Sequence, residues 1–216
     1  MMKNNSELAA MRRNYSLKEL DESTVNPDPF IQFELWFNEA VSSEILEANA
    51  MILATVSSDS KPTARTVLLK GFDESGFVFF TNYESKKAKD VLGNQNVSLL
   101  FLWKELERQI RINGKVEKVS IEESKKYFNS RPFESRIGAW ASTQSNKIVD
   151  RKYLEEKFEF YKQKFSDGNI PLPQNWGGYK VIPDYFEFWQ GRENRLHDRI
   201  CYEVKEKGWK VYRISP

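Results

Sequence analysis

Short runs rich in β-branched and aromatic residues recur along this chain, and several of them are parted only by short turn-forming stretches that cannot hold a crossover helix. The first three are AMILATV (50–56), TARTVLLKGF (63–72) and FVFFTN (77–82), separated by SSDSKP and DESG. VSLLFLW (97–103) with RQIRINGKVEKVS (108–120) reads as a further pair, and YFEFWQG, RICYEVK and GWKVYRIS supply three more strands near the C-terminus. Parallel neighbours need a connection of a dozen residues or more, so this spacing predicts antiparallel pairing.

Helical patterns interrupt the strands. From Pro29 the residues Phe30, Phe33, Leu35, Trp36, Phe37, Ala40 and Val41 recur at helical spacing, which predicts a helix to about Ala48 with Asp28 as N-cap. Further helices are expected at 85–94, at 121–130, from Pro132, and from about Asp150 to Phe165. Many short strands with inserted helices point to a mainly β fold, a small closed barrel with flanking helices. The polar residues 1–25 read as a flexible N-terminal arm, and 26–216 as a single domain.

Composition narrows the function classes. The net charge of +2, from 33 basic and 31 acidic residues in 216, lacks the one-sided balance of a nucleic-acid or membrane partner, so any anion site must be local. The lone Cys201 excludes an intrachain disulfide, and one cysteine with one histidine cannot build a zinc site of the usual kind. With no apolar run of membrane-spanning length and no secretory signal, a cytoplasmic setting is expected.

Several segments place cations where an anion would be held. In ARTVLLKGF, strand alternation sets Arg65, Val67 and Leu69 on one face and Thr66, Leu68 and Lys70 on the other. The two cations either snorkel to water from a strand end or belong to an anion pocket, shared across a subunit interface because they point opposite ways. In FFTNYESKKAKD, Thr81 and Asn82 close a strand while Ser85, Lys86 and Lys87 open a helix, where free amides and the helix dipole favour phosphate. YFNSRPFES puts Tyr127, Arg131 and Ser135 four apart on one line if the helix is re-initiated at Pro132, a cradle for a phosphate monoester. Each of the three also has a structural reading, in the core, in an ion pair with Glu134, or at the surface. Gln144 and Ser145 in WASTQSNKI offer groups that read the edge of a heterocycle, or an ordinary loop.

The only histidine, His197, stands between Arg195 and Arg199 in FWQGRENRLHDR. In an extended chain all three side chains project to one face, and the cations hold the imidazole towards its neutral form. A neutral imidazole there suits hydrogen bonding to a ring oxygen better than activation of a nucleophile, for which no Ser-His-Asp order is evident.

Taken in order, RTVLLKGF, FFTNYESKKA, LERQIRINGKVEKVS, YFNSRP, IGAWASTQS, PLPQNWGGY and FWQGRENRLHDR resemble the pyridoxine/pyridoxamine 5'-phosphate oxidase family, from about Arg12 to the terminal Arg213-Ile214-Ser215-Pro216. The resemblance implies an antiparallel FMN-binding split β-barrel and a homodimer with FMN in a cleft between subunits. By the same resemblance FMN is held by Arg65, Thr66, Val67, Leu68 and Lys70, by Phe80, Thr81, Lys86, Lys87 and Gln109, and by Gln144, Ser145, Trp189 and Arg199 of the other subunit.

It further implies that the substrate's phosphate rests on Lys70, Tyr127, Arg131 and Ser135, with Arg195 and His197 over the pyridine ring as catalytic residues and Arg12 and Tyr15 in an arm that folds over it. The implied reaction converts pyridoxine 5'-phosphate or pyridoxamine 5'-phosphate to pyridoxal 5'-phosphate with O2 as acceptor. Three positions depart from the family's pattern: Asn14 where an acidic residue is more common, Phe80 for tyrosine, and Lys86 for arginine. The last replaces a bidentate fork by a point charge.

Overall fold

The Asp28 carboxylate accepts a hydrogen bond from the Phe30 amide at 2.8 Å, and Pro29, with no amide of its own to satisfy, fills the first helical position. Helix α1 (Pro29–Ser42) follows from these two residues. It ends at Ser42 rather than near Ala48, because Glu44 and Glu47 adopt left-handed backbone with φ of 55° and 51°, which a right-handed helix cannot continue. The computed structural model describes Ala10, Met11 and residues 14–216; Arg12 lies outside the described residues.

The strands β1 (Ala50–Val56), β2 (Pro62–Leu68), β3 (Gly71–Asp73) and β4 (Gly76–Asn82) come next, then α2 (Lys86–Gly93), β5 (Asn96–Trp103) and β6 (Arg108–Lys118). Three helices follow, α3 (Ile121–Ser130), α4 (Phe133–Ala141) and α5 (Arg151–Lys164), and the chain closes with β7 (Trp176–Gln190), β8 (Asp198–Val204) and β9 (Trp209–Arg213). Neighbouring strands follow the order β2-β1-β5-β6-β7-β4-β3, with β8 on β7 and β9 on β8. The β1–β2, β3–β4, β4–β7, β7–β8 and β8–β9 pairs are antiparallel, as short connections require.

The TARTVLLKGF run divides in two. β2 stops at Leu68 and β3 starts at Gly71, so Lys70 leaves the strand alternation, its amide donating to Val78 O at 2.8 Å. β7 is far longer than the YFEFWQG run suggests. Its first half carries Gly177, where a Cβ would lie 2.2 Å from the Tyr83 hydroxyl, so glycine is needed for close approach and not for a turn.

The chain divides into two compact units. One comprises the described residues up to Ala48 with Leu100–Ile112 and Tyr185–Pro216. Its core is aromatic: Phe33 meets Phe101 edge to face at 5.1 Å, and Trp36 meets Phe188 at 5.2 Å. The other comprises Asn49–Leu99 and Asn113–Asp184. There Phe128, Ile137, Phe165, Ile170 and Trp176 form a buried cluster between α3, α4, α5 and the start of β7.

Candidate active site

In the Asn49–Leu99 and Asn113–Asp184 unit, β2, the end of β4, the start of α2 and the α3–α4 corner surround a cleft of about 700 Å³. Of the residues singled out in the sequence, Arg65, Thr66, Val67, Leu68, Lys70, Phe80, Thr81, Lys87, Tyr127, Arg131, Ser135 and Gln144 line it. Asn82 and Pro132, named in the sequence only as strand end and helix restart, complete the wall with Gly138, Ala139, Ser142 and Trp176, which were not foreseen. Trp176 had a signal in PLPQNWGGY, a bulky aromatic beside two glycines.

The α3–α4 corner is built by a break in the helix. Arg131 (ψ 149°) and Pro132 (ψ 150°) leave helical backbone, and α4 re-initiates at Phe133. Tyr127, Arg131 and Ser135 all reach the cleft despite the break. Tyr127 stacks on Phe80 at 4.0 Å, and Phe80 stacks on Trp176 at 5.5 Å, so three rings form one wall. The Arg131 guanidinium lies over Trp176, and its Nη1 is buried with no hydrogen-bond partner. Burial also lowers its pKa. A buried guanidinium nitrogen without a partner is uncommon, and this one belongs to a residue of the cleft wall.

Arg65 and Lys87 are further cations of the cleft wall. Lys87 Nζ donates to Gln144 Oε1 at 2.9 Å and to Thr81 Oγ1 at 3.1 Å, and its pKa is lowered by burial and then by the nearby Arg65. Arg65 Nη1 donates to Leu53 O at 2.9 Å and to Thr55 Oγ1 at 2.8 Å. Lys86, expected beside Lys87, instead pairs with the buried Asp90 one helical turn on and does not line the cleft. Ser145 does not line it either, sitting at a left-handed φ of 69°.

The other unit holds Gln109, Trp189, Arg195, His197, Arg199 and Tyr15. A pocket of about 580 Å³ is lined by Met11, Asn14, Tyr15, Arg192, Asn194, Arg195 and His197. Gln109, Tyr15 and Trp189 line a second, of about 360 Å³. The His197 ring is 4.6 Å from Trp189 and 5.8 Å from Tyr15. Its Nδ1 accepts from the Arg192 amide at 3.1 Å, which leaves the proton on Nε2 of a neutral ring. Its pKa is lowered, as the cationic neighbours suggested, but burial is the larger cause and Arg195 the second.

The extended geometry assumed for Arg195, His197 and Arg199 does not hold. Glu193–Arg195 form a 3-10 turn in which Asn194 and Arg195 have φ of 55° and 63°, and regular strand begins only at Asp198. Arg199 turns to the buried Glu187, donating to Oε1 from Nε at 2.8 Å, and its Nη1 donates to Ser215 O at 3.0 Å. Glu187 also accepts from Arg111. Sequence reading passed over Glu187, although a lone acid at a core-facing position of YFEFWQ is the signal for it.

Residues 37–165 match the family described as pyridoxamine 5'-phosphate oxidase, across more than half of the chain. This chain belongs to the pyridoxamine 5'-phosphate oxidase family. It is accordingly an oxidoreductase. Residues 176–216 match the region described as the pyridoxine 5'-phosphate oxidase C-terminal dimerisation region. Among curated relatives, the pyridoxine/pyridoxamine 5'-phosphate oxidase of Rippkaea orientalis is 54% identical over 211 residues, covering 97% of this chain and 100% of that one. That of Burkholderia multivorans is 54% identical over 212 residues, covering 97% and 99%.

Among solved structures, PhzG from Burkholderia lata 383, in complex with tetrahydrophenazine-1-carboxylic acid, aligns with a TM-score of 0.86 at 27% identity, covering 93% of this chain and all of that one. A pyridoxamine 5'-phosphate oxidase-related, FMN-binding protein from Nostoc punctiforme aligns at 0.66 and 17% identity over 92% of this chain and all of that one. The family's fold is the antiparallel split barrel with flanking helices expected from the sequence. Among the described residues, no helix is long and apolar enough to cross a membrane.

Proposed function

We propose that this oxidase converts pyridoxine 5'-phosphate and pyridoxamine 5'-phosphate to pyridoxal 5'-phosphate, using FMN and O2, and works as a homodimer with FMN at the subunit interface. The observation that carries the reading is Arg131, whose Nη1 is buried without a hydrogen-bond partner, in the wall of a cleft that also presents Lys70, Tyr127 and Ser135. A phosphate monoester supplies the missing charge and accepts from all four. The residues present also fit the cofactor: Arg65 and Lys87 are further cations of the wall, and the cleft has room beyond the anchor of one phosphate.

FMN, when held by these residues, would supply the two-electron redox chemistry that links removal of a hydride from the substrate's C4' carbon to reduction of O2 to hydrogen peroxide. The chain's own work is to bind and orient. Arg131, Lys70, Tyr127 and Ser135 anchor the phosphate, which fixes the distance from anchor to C4'. Arg195 steers C4' and assists loss of the proton from the hydroxyl or amino group that C4' carries, and neutral His197, with Nε2–H as donor, orients the pyridine oxygen. From the alcohol the product is the aldehyde; from the amine it is an imine that water hydrolyses to the aldehyde and ammonia.

The test is direct. Purified protein supplied with FMN is mixed with each phosphorylated substrate, and oxygen uptake and peroxide are followed. Uptake with either compound supports the reading. A flavin-loaded protein that consumes no oxygen with either, but turns over a reduced phenazine precursor, overturns the substrate assignment.

A further inference from the structure

Asp90, on α2, is buried at 2% exposure and does not itself line the cleft. Its Oδ2 accepts from Thr55 Oγ1 at 2.8 Å and from Thr63 Oγ1 at 2.9 Å, two residues that face each other across β1 and β2. Each of those hydroxyls also accepts from Arg65, Thr55 from Nη1 and Thr63 from Nη2. The Arg65 guanidinium itself stands 3.9 Å from Asp90 Oδ2. A hydroxyl has one proton to give. The two hydroxyls lie 3.1 Å apart, and when both give their protons to Asp90 the lone pairs of both are turned to the guanidinium.

Oδ1 of the same carboxylate takes the Lys86 ammonium. Lys86 and Lys87 are adjacent at the start of α2, yet only Lys87 lines the cleft. Asp90 thus fixes one cation of the site and removes another.

We infer that Asp90 is a positioning residue for the cofactor's phosphate: through the hydroxyls of Thr55 and Thr63 it holds Arg65 in the wall of the cleft, and it keeps Lys86 out of that wall. The inference rests on the reading that this cleft binds FMN. Asparagine at position 90 has one acceptor oxygen and one donor amide. Whichever way it turns, a donor meets either the two threonine hydroxyls or the Lys86 ammonium, and the relay to Arg65 is broken.

The contrast between FMN and riboflavin isolates the phosphate, because the two differ only there. Binding of each to the apoprotein is measured by quenching of flavin fluorescence. Asp90→Asn is expected to weaken FMN about tenfold and to change riboflavin binding less than twofold. Thr63→Val, which breaks one arm of the relay with less risk to folding, is expected to do the same to a smaller degree, and Thr63→Ser to restore FMN binding. Equal losses for FMN and riboflavin would mean a structural role only and overturn the inference, as would unchanged FMN binding in both Asp90→Asn and Thr63→Val. Wild-type protein that binds no FMN would instead take down the reading of the cleft, and the inference with it.

Discussion

The guanidinium carbon of Arg131 lies 4.9 Å from the centre of the Trp176 ring, and its Nη1 is buried with no hydrogen-bond partner. The ring supports the charge but satisfies none of its N–H groups, which a ligand's phosphate would do. Charge-assisted hydrogen bonds of this type contribute about 1.5–3 kcal/mol. Arg131→Met is therefore expected to raise KM for pyridoxamine 5'-phosphate by about 10- to 100-fold. The melting temperature should hold or rise, because an unpaired buried charge is removed. An unchanged KM would sink the assignment.

His197 is the only histidine, so its ring protons are assigned without mutagenesis. Its folded pKa lies below 6.5 because the ring is partly buried and faces Arg195. The sign follows from linkage: the unfolded chain takes up the proton first as pH falls. The stability that neutral His197 contributes is complete above 6.5 and is lost as pH drops from there through the folded value. An NMR titration of the ring C–H should give a midpoint below 6.5, and a midpoint at or above 6.5 would contradict the geometry at Arg192.

Glu187 is 2% exposed and accepts from Arg199, Arg111 and the Tyr185 hydroxyl. Glu187→Gln leaves two guanidinium groups facing a neutral amide. The cost is about 1–3 kcal/mol, below that of a fully buried pair because both arginines keep some solvent. Urea unfolding measures it, and adding Arg111→Met to the variant should recover part of the loss.

Gly114 sits in β6 where a Cβ would fall 2.1 Å from Ile182 O, a backbone atom that cannot swing aside. Gly114→Ala should destabilise the protein by about 2–4 kcal/mol, within the range of overpacking and backbone shift. A melting temperature within a degree of wild type would show that the β6 and β7 backbones part more easily than this packing allows.

Much of the fold was legible because it is set by neighbours in sequence. Ser85, Ser120 and Asp150 cap α2, α3 and α5 with side-chain acceptors, and each helix starts at the residue after its cap. The β1–β2 and β3–β4 hairpins follow from the turn residues between them. The first half of β7 was not legible. Gly177 reads as a breaker until the Tyr83 hydroxyl is seen to need its missing side chain.

The candidate site divides along the same line. Sequence by itself suggested that Tyr127, Arg131 and Ser135 come together, since spacing along α3 and a restart at Pro132 are local matters, and all three line the cleft. It also gave the direction of the His197 shift from Arg195 two residues away, although burial, the larger cause, belongs to the fold. Only the tertiary structure decided which of two adjacent lysines serves the cleft, why Arg65 is fixed there, and where Arg199 points. Each of those answers depends on a partner brought close by folding: Gln144 for Lys87, the paired threonines of β1 and β2 for Arg65, and Glu187 across the β7–β8 ladder for Arg199. A long cationic side chain has many rotamers of similar energy, and it is the fixed acceptor, not the local sequence, that selects one.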